Sequence, residues 1–276
     1  HSMAVFLGCT QVHAPTNHFL QNPLAWIDAL HRYRITISWA PNFAFGLIND
    51  RAEEVERGAW DLSPMRFLVS AGEPVVAKTA RRFLRLMARH GLRSTAIHPA
   101  FGMSETASGI TWSDSFSLET VSDETTHVDL GPPIPSAALR IVDDQGKLLE
   151  EGGVGRLQLA GPSVIKGYYR NPELNKKCIT EDGWFDTGDL GFLLNGRLPL
   201  PGRDKDEIII NGVNYAGSEI ESIVESIDGV ETSFTAACAV HTTGSDTESL
   251  AIFFSPAAKT EENLKALLPT IRRQVI

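Results

Sequence analysis

The sequence predicts a mixed α/β protein with three parts: a partial α/β sheet subdomain, a β-barrel-like subdomain and a small α+β C-terminal domain. Three observations predict it. From Ala4 to about Arg93, short apolar runs alternate with helical repeats, the pattern of strands joined by crossover helices. Near Ser113 that periodicity stops, and short alternating runs separated by turn residues take over. After Gly202-Arg203 a strand, a tight turn and a capped helix follow one another. The expected divisions are 1–124, 125–203 and 204–276.

The elements follow in order. Pro23 suits the start of a helix in which Trp26, Ile27, Leu30 and Tyr33 recur at three and four residues, and Ile35 to Trp39 reads as a buried strand. Phe43, Leu47, Ile48, Ala52 and Val55 predict a second helix, Phe67 to Ser70 a strand, and Val76, Ala80, Phe83, Leu84 and Met87 a third helix ending by Gly91. In the middle part, Leu139 to Val142, Arg156 to Leu159, Phe192 to Leu194 and Arg197 to Leu200 are expected strands. Turns fall at Asp144-Gln145-Gly146 and Asn195-Gly196. Glu207 to Ile210 predicts a strand before an Asn211-Gly212 turn, and Ser218-Glu219-Ile220-Glu221 has capping-box spacing. Strands at Thr235 to Val240 and Leu250 to Phe254 and a helix after Thr260 complete the chain.

Composition narrows the function. In 276 residues, 42% are hydrophobic and 21% charged, enough to form a core. The net charge of -9 argues against general nucleic-acid or anionic-membrane binding. No apolar run approaches the roughly 18 residues a membrane helix needs, so no membrane partner is expected. Cys9, Cys178 and Cys238 are odd in number and widely spaced, which fits a reducing, cytoplasmic compartment and no zinc site. His1-Ser2-Met3 reads as a cloning scar rather than a natural start.

Four clusters could carry chemistry: Ser70-Ala71-Gly72-Glu73-Pro74, Phe101-Gly102-Met103-Ser104-Glu105-Thr106, Trp184-Phe185-Asp186-Thr187-Gly188-Asp189-Leu190, and Gly202-Arg203-Asp204-Lys205-Asp206. Each follows or ends an apolar run, placing it at a strand end, where open α/β sheets bind ligands. Singly each is also readable as a turn, an exposed carboxylate or a surface ion-pair partner. In this order they resemble the acyl-adenylate-forming ligases. Phe19-Leu20-Gln21-Asn22-Pro23, Pro41-Asn42-Phe43-Ala44-Phe45, Asp189-Leu190-Gly191-Phe192 and Ile208-Ile209-Ile210-Asn211-Gly212 resemble the fatty acyl-AMP ligase branch, especially the loading domains of polyketide and hybrid polyketide-peptide assembly lines. The resemblance spans nearly the whole chain.

The resemblance implies a role for each matched residue. Gly72, Glu73 and Pro74 match the loop along adenine, and Phe101, followed by Gly102, matches the aromatic that stacks on it. Ser104 and Thr106 match hydroxyls near phosphate, and Glu105 matches the carboxylate that holds Mg²⁺. Asp189 is similar to the acceptor of the ribose hydroxyls and Arg203 to a donor toward ribose and phosphate. Lys205 matches the hinge joining the small C-terminal domain, and Gly212 the glycine that approaches a carrier protein's pantetheine arm. The implied reaction uses ATP to convert a carboxylic acid to acyl-AMP and pyrophosphate, then passes the acyl group to the phosphopantetheine thiol of an acyl or peptidyl carrier protein. Free CoA as acceptor, or a non-catalytic nucleotide-binding or interaction module, are the alternatives.

Departures from the family pattern add expectations. No Gly/Ser/Thr-rich phosphate loop occurs, and the resemblance would place it before Ala4 and the catalytic lysine beyond Ile276, so the chain alone is expected to turn over slowly or not at all. Trp39-Ala40 stands where the fatty acyl branch carries two glycines. Either the indole narrows the acyl tunnel and selects a small carboxylic acid, or it is a core side chain facing away. Asp186 stands where a basic residue or asparagine is common. His98 either lines the substrate pocket or is structural. Arg81, Arg85 and Arg89 form a stripe that either docks an acidic carrier or is a solvated helix face.

Overall fold

The computed structural model describes residues 2–200, 202–203, 207–210, 213–240 and 249–275. Helices α1 (Ser2–Leu7), α2 (Thr16–Gln21) and α3 (Leu24–Arg32) lead into a four-stranded sheet of β1 (Ile37–Trp39), β2 (Phe67–Ser70), β3 (Ile97–Gly102) and β4 (Gly109–Trp112). Strands β1, β2 and β3 run parallel, and β4 turns back antiparallel. The crossover from β1 to β2 holds α4 (Asn42–Asn49) and α5 (Ala52–Arg57), and the next holds α6 (Ala77–Ala88). The single helix expected from Phe43 to Val55 is thus two. The ladder breaks at Asp50-Arg51, where Asp50 N–H closes α4 on Gly46 and Arg51 takes a non-helical φ of -107°.

The main core lies on one face of this sheet. Leu68 and Ile97 meet Ile27, Leu30, Phe45, Ile48, Phe83, Leu84 and Met87 from α3, α4 and α6. Phe45 and Phe83 rings sit 4.8 Å apart and Trp26 stacks on Phe83, packing worth about 1.5–3 kcal/mol for each fully buried large side chain. The opposite face is less covered. Cross-strand partners share a face, so Ile37 and Phe67, and Trp39, Val69 and His98, form two rows there. Ile37 is 61% and Trp39 57% exposed. The strand expected to be buried from Ile35 to Trp39 is therefore a three-residue edge strand. Its apolar side chains reflect this second face rather than burial on both.

The second part is an open antiparallel sheet in the order β5 (Ala138–Val142), β6 (Gly155–Ala160), β7 (Phe185–Gly191), β8 (Gly202–Arg203). Among the described residues β8 pairs only with β7, so the expected barrel is not closed. The expected strands at Phe192–Leu194 and Arg197–Leu200 shrink to a tight hairpin with one bridge, Leu194 to Arg197, around Asn195 (φ 52°) and Gly196 (φ 70°). Leu198 pairs instead with Leu130 and Gly131. The sequence reading missed β7, because its Asp-Thr-Gly-Asp stretch lacks apolar alternation. Ile141, Leu157, Leu159 and Leu198 form this part's core together with Ile110 of β4, and Phe101 of β3 and Met103 just after it pack against it. Between β6 and β7 lies α7 (Pro172–Cys178).

The third part has antiparallel pairs β9 (Glu207–Ile210) with β10 (Val213–Ala216), and β11 (Val230–Val240) with β12 (Ser249–Pro256). Helices α8 (Gly217–Glu225) and α9 (Glu261–Val275) close a small core of Val224, Ile227, Val230, Leu267 and Ile271. Among the described residues no helix is long and apolar enough to cross a membrane. The three cysteines are free.

Candidate nucleotide site

Strands β2 and β3 are parallel neighbours, with Ser70 paired to Pro99, so the loops at their carboxyl ends lie side by side. One is Ala71 to Pro74 and the other Phe101 to Thr106. This is the edge at which open α/β sheets bind ligands. Gly72 has φ 95°, a backbone state that L side chains rarely adopt, and a Cβ built there would meet no atom within 4 Å. That side of the loop is open to a flat ligand.

Three contacts stitch this loop to the start of α4. The Trp39 indole N–H donates to Ala71 O at 3.3 Å. The Val76 N–H donates to the side chain of Asn42 at 3.1 Å, and the Phe43 N–H donates to the carboxylate of Glu73. Glu73 thereby caps an orphan amide of the first turn of α4. Trp39 is accordingly not a core side chain: its exposed indole bonds to the adenine-loop candidate.

The second loop opens with Phe101, half-buried at the seam between the two sheets, its N–H donating to Thr111 Oγ1 at 3.2 Å. Gly102 is required by the hairpin itself. A Cβ there would lie 2.2 Å from Ser108 O and 2.6 Å from Gly109 Cα. Ser104 to Thr106 form one 3₁₀ turn in which Ser104 is exposed and Thr106 only 1% exposed. The Thr106 hydroxyl is occupied within that turn, donating toward Ser108 O (2.6 Å) and Met103 O (3.0 Å) and accepting from Met103 N–H. These bonds hold the turn together, while Ser104 is the exposed hydroxyl of the pair.

Glu105 is tied down from the second part. Its Oε1 accepts from the Tyr168 hydroxyl at 2.7 Å and its main-chain oxygen from Ile165 N–H at 2.8 Å. Burial and then the bond to Glu105 push the Tyr168 phenol up to about 12, so it remains a donor across the working pH range. The sequence reading missed Tyr168. The Lys166-Gly167-Tyr168-Tyr169 stretch lies about sixty residues from the motif it serves, and nothing in its pattern reveals the contact.

Asp189 is 4% exposed on β7. A bulge falls between the Arg156–Leu190 and Gln158–Asp186 pairs, and Thr187 holds it: its hydroxyl donates to Leu157 O at 3.0 Å and accepts from Asp189 N–H at 3.0 Å. The Arg203 backbone pairs directly with Asp189 across β7 and β8. The side chain of Arg203, and Lys205 and Gly212 entirely, lie outside the described residues. Asp186 accepts from Gln158, which is 2% exposed, at 3.1 Å and lies 3.5 Å from Arg156, so it serves a sheet network.

Two further candidates have partners within the chain. His98 is 8% exposed; its Nδ1 donates to Ser113 O at 3.1 Å and its ring stacks on Trp112. The arginine stripe is broken up. Arg81 is buried, donating to Asp123 at 2.6 Å and to the carbonyls of Leu118 and Val121, and Arg85 pairs with the same carboxylate. The two guanidiniums hold Asp123 below the usual carboxylate range, leaving Arg89 without such a partner among the described residues.

The described residues contain no group of three or more His, Cys, Asp and Glu placed to hold a metal. A single carboxylate at Glu105 fits a hard cation that takes its other ligands from phosphate and water, the usual manner of Mg²⁺ at triphosphates.

Residues 2–169 match the family model described as AMP-binding enzyme. The chain is 36% identical over 267 residues to microperfuranone synthase of Emericella nidulans, covering 95% of this chain and 28% of that protein. A solved structure of McyG A-PCP complexed with phenylalanyl-adenylate shares 48% identity and a TM-score of 0.90 over 99% of this chain and 43% of that one. A multidomain structure of a keto acid-selecting NRPS module, with adenylation, ketoreductase and pseudo Asub domains, shares 43% identity and a TM-score of 0.89, covering 99% and 24%. The chain thus spans well under two thirds of each of these proteins. With the family model matching well over half its length, the chain belongs to the AMP-binding enzyme family.

Proposed function

We propose that this chain is the part of an adenylating ligase that holds the nucleotide while a small carboxylic acid is activated. The observation that carries this reading is Glu105. It closes a turn at the carboxyl end of β3, next to the open Gly72 loop, with one carboxylate oxygen fixed by Tyr168. In the reaction a carboxylate oxygen attacks the α-phosphorus of ATP, the bond to the β-phosphate oxygen breaks and pyrophosphate leaves. A carrier-protein phosphopantetheine thiol then attacks the acyl carbon, the bond to AMP breaks and the thiol proton is released.

In this reading Gly72 to Pro74 and Phe101 receive adenine, Asp189 accepts from the ribose hydroxyls, Arg203 reaches ribose and phosphate, and Ser104 faces the phosphates. Lys205 is the hinge, and Gly212 approaches the pantetheine arm. Glu105 would hold Mg²⁺, which when bound offsets charge on the triphosphate. The protein's own contribution is position and fixed dipoles. The parts 1–124, 125–203 and 204–276 are read as two subdomains and a mobile C-terminal domain.

Substrate size follows from Trp39. Its exposed indole bonds to Ala71 O at the end of β2, and an indole placed there supports an acid on the scale of the phenylalanyl and keto acid groups named for the similar proteins rather than a long fatty chain. The carrier partner is supported by the A-PCP composition of one of them. The three free cysteines fit a cytoplasmic setting. ATP–pyrophosphate exchange by the full-length protein across phenylalanine, α-keto acids, short acids and dodecanoate tests the reading. Exchange with one of the small acids supports it; preference for dodecanoate overturns the size assignment, and no exchange with any acid overturns the activity.

A further inference from the structure

We propose that Tyr168 is a positioning residue for the cation site: its hydroxyl fixes Oε1 of Glu105 so that Oε2 is presented to the metal–triphosphate. This rests on the reading of Glu105 given above and goes beyond it by naming the group that aims the carboxylate.

The geometry is a relay built from two stretches, the connection between β6 and β7 and the turn after β3. Asn171 caps α7 by accepting from Leu174 N–H at 3.2 Å. On that helix the Asn175 amide grips the main chain of Tyr168 from both sides, accepting from its N–H at 2.6 Å and donating to its carbonyl at 3.1 Å. The Tyr168 hydroxyl then donates to Glu105 Oε1 at 2.7 Å, while Ile165 N–H holds the Glu105 carbonyl at 2.8 Å. Glu105 is thus fixed at backbone and side chain by one connection of the second part, although it belongs to a loop of the first. A carboxylate on a single 3₁₀ turn has three rotatable side-chain bonds. One strong donor on one oxygen selects a rotamer and leaves the other oxygen to face a ligand, the arrangement by which outer partners orient metal-binding carboxylates. Among the described residues no side chain other than Tyr168 bonds that carboxylate.

The test uses the full-length protein and calorimetry with two probes, AMP without metal and an α,β-methylene ATP analogue titrated with Mg²⁺. Tyr168→Phe keeps the ring and removes only the hydroxyl. The inference predicts that Tyr168→Phe raises the Mg²⁺ concentration for half-saturation ~10-fold, the scale typical of losing an outer partner of a metal ligand, while AMP affinity stays within about twofold. In a Glu105→Gln background, Tyr168→Phe should add less than about twofold. Asn175→Ala should shift the Mg²⁺ requirement in the same direction, and serves in its place if Tyr168→Phe does not fold. An unchanged Mg²⁺ requirement overturns the positioning role, and so does equal loss of AMP and Mg²⁺-dependent binding, which marks a merely structural contact. If the unmodified protein binds AMP but Glu105→Gln leaves the Mg²⁺ dependence intact, the reading of Glu105 itself fails.

Discussion

The main-chain amide of Phe43 donates to the carboxylate of Glu73, so the helix that follows the edge strand and the loop that follows its neighbour hold each other in place. Burial raises the Glu73 carboxyl above the ordinary value, and the Phe43 bond works against that. Glu73→Ala leaves an orphan amide at the start of α4 and is expected to lower stability by about 1 kcal/mol. Urea denaturation of the variant beside Glu73→Gln, which keeps an acceptor and should lose less, checks this. Equal stability of the alanine variant and the unmodified chain would show that the cap contributes nothing.

Asp129 fastens the seam from the other side. Its carboxylate accepts from Ser115 Oγ at 2.7 Å, Ser113 Oγ at 3.0 Å, Gly131 N–H at 2.8 Å and Arg197 Nε at 2.8 Å. Burial pushes its pKa up, but these hydrogen bonds outweigh burial and hold it below the ordinary value. A carboxyl with a depressed folded value adds stability above its unfolded value, about 3.9, and loses it as pH falls through the folded one. Asp129→Asn should therefore cost about 2 kcal/mol at pH 7, with the gap to the unmodified chain shrinking below about pH 4. Chemical denaturation at the two pH values reads both; a gap that widens in acid contradicts the assignment.

Gly131 has φ 88°, and a Cβ there would lie 1.9 Å from Trp112 O and 2.5 Å from Ser113 N. These are backbone atoms that cannot swing aside. Gly131→Ala is expected to destabilise by at least about 3 kcal/mol, or to give no soluble protein. Thermal melting near that of the unmodified chain would contradict the packing at this crossing.

Thr187 aims Asp189 through the β7 bulge. Thr187→Val removes both of its hydrogen bonds while keeping the shape, and is expected to weaken AMP binding ~10-fold at a stability cost of about 1 kcal/mol. Calorimetry with AMP and with adenine alone separates the effects. Loss with AMP but not with adenine places the defect at the ribose; equal loss with both places it elsewhere.

Trp39→Ala tests the substrate-size reading. Opening the space beside Ala71 should raise kcat/KM for longer acids relative to small ones by ~10-fold or more in the full-length protein, measured by pyrophosphate exchange. An unaltered ratio would show that the indole does not border the acyl group.

Much of this arrangement is legible in the residue pattern. The 3.6-residue repeats through Trp26, Ile27 and Leu30 and through Ala80, Phe83, Leu84 and Met87 mark α3 and α6, and Phe67 to Ser70 is β2 to the residue. The strand-end placement of the Gly72 and Phe101 loops follows from the same pattern. What escaped has physical reasons. Strand β7 is polar and bulged, so its pairing comes from neighbours and not from alternation. Trp39 and Ile37 are apolar yet exposed, because period alone does not say whether a sheet has one covered face or two. Arg81 resembles its exposed helical neighbours in sequence, and only the distant Asp123 makes it a buried ion pair. Tyr168 meets Glu105 through a connection between two sheets, a long-range contact with no local signature.

The central claim is that one nucleotide site forms where the Phe101 loop of the first sheet meets β7 of the second. A crystal structure of the full-length protein with a non-hydrolysable acyl sulfamoyl adenosine tests it most directly. The account predicts the adenine ring stacked on Phe101 and the ribose hydroxyls within about 3 Å of Asp189. Ligand density elsewhere, with Phe101 and Asp189 untouched, would contradict it.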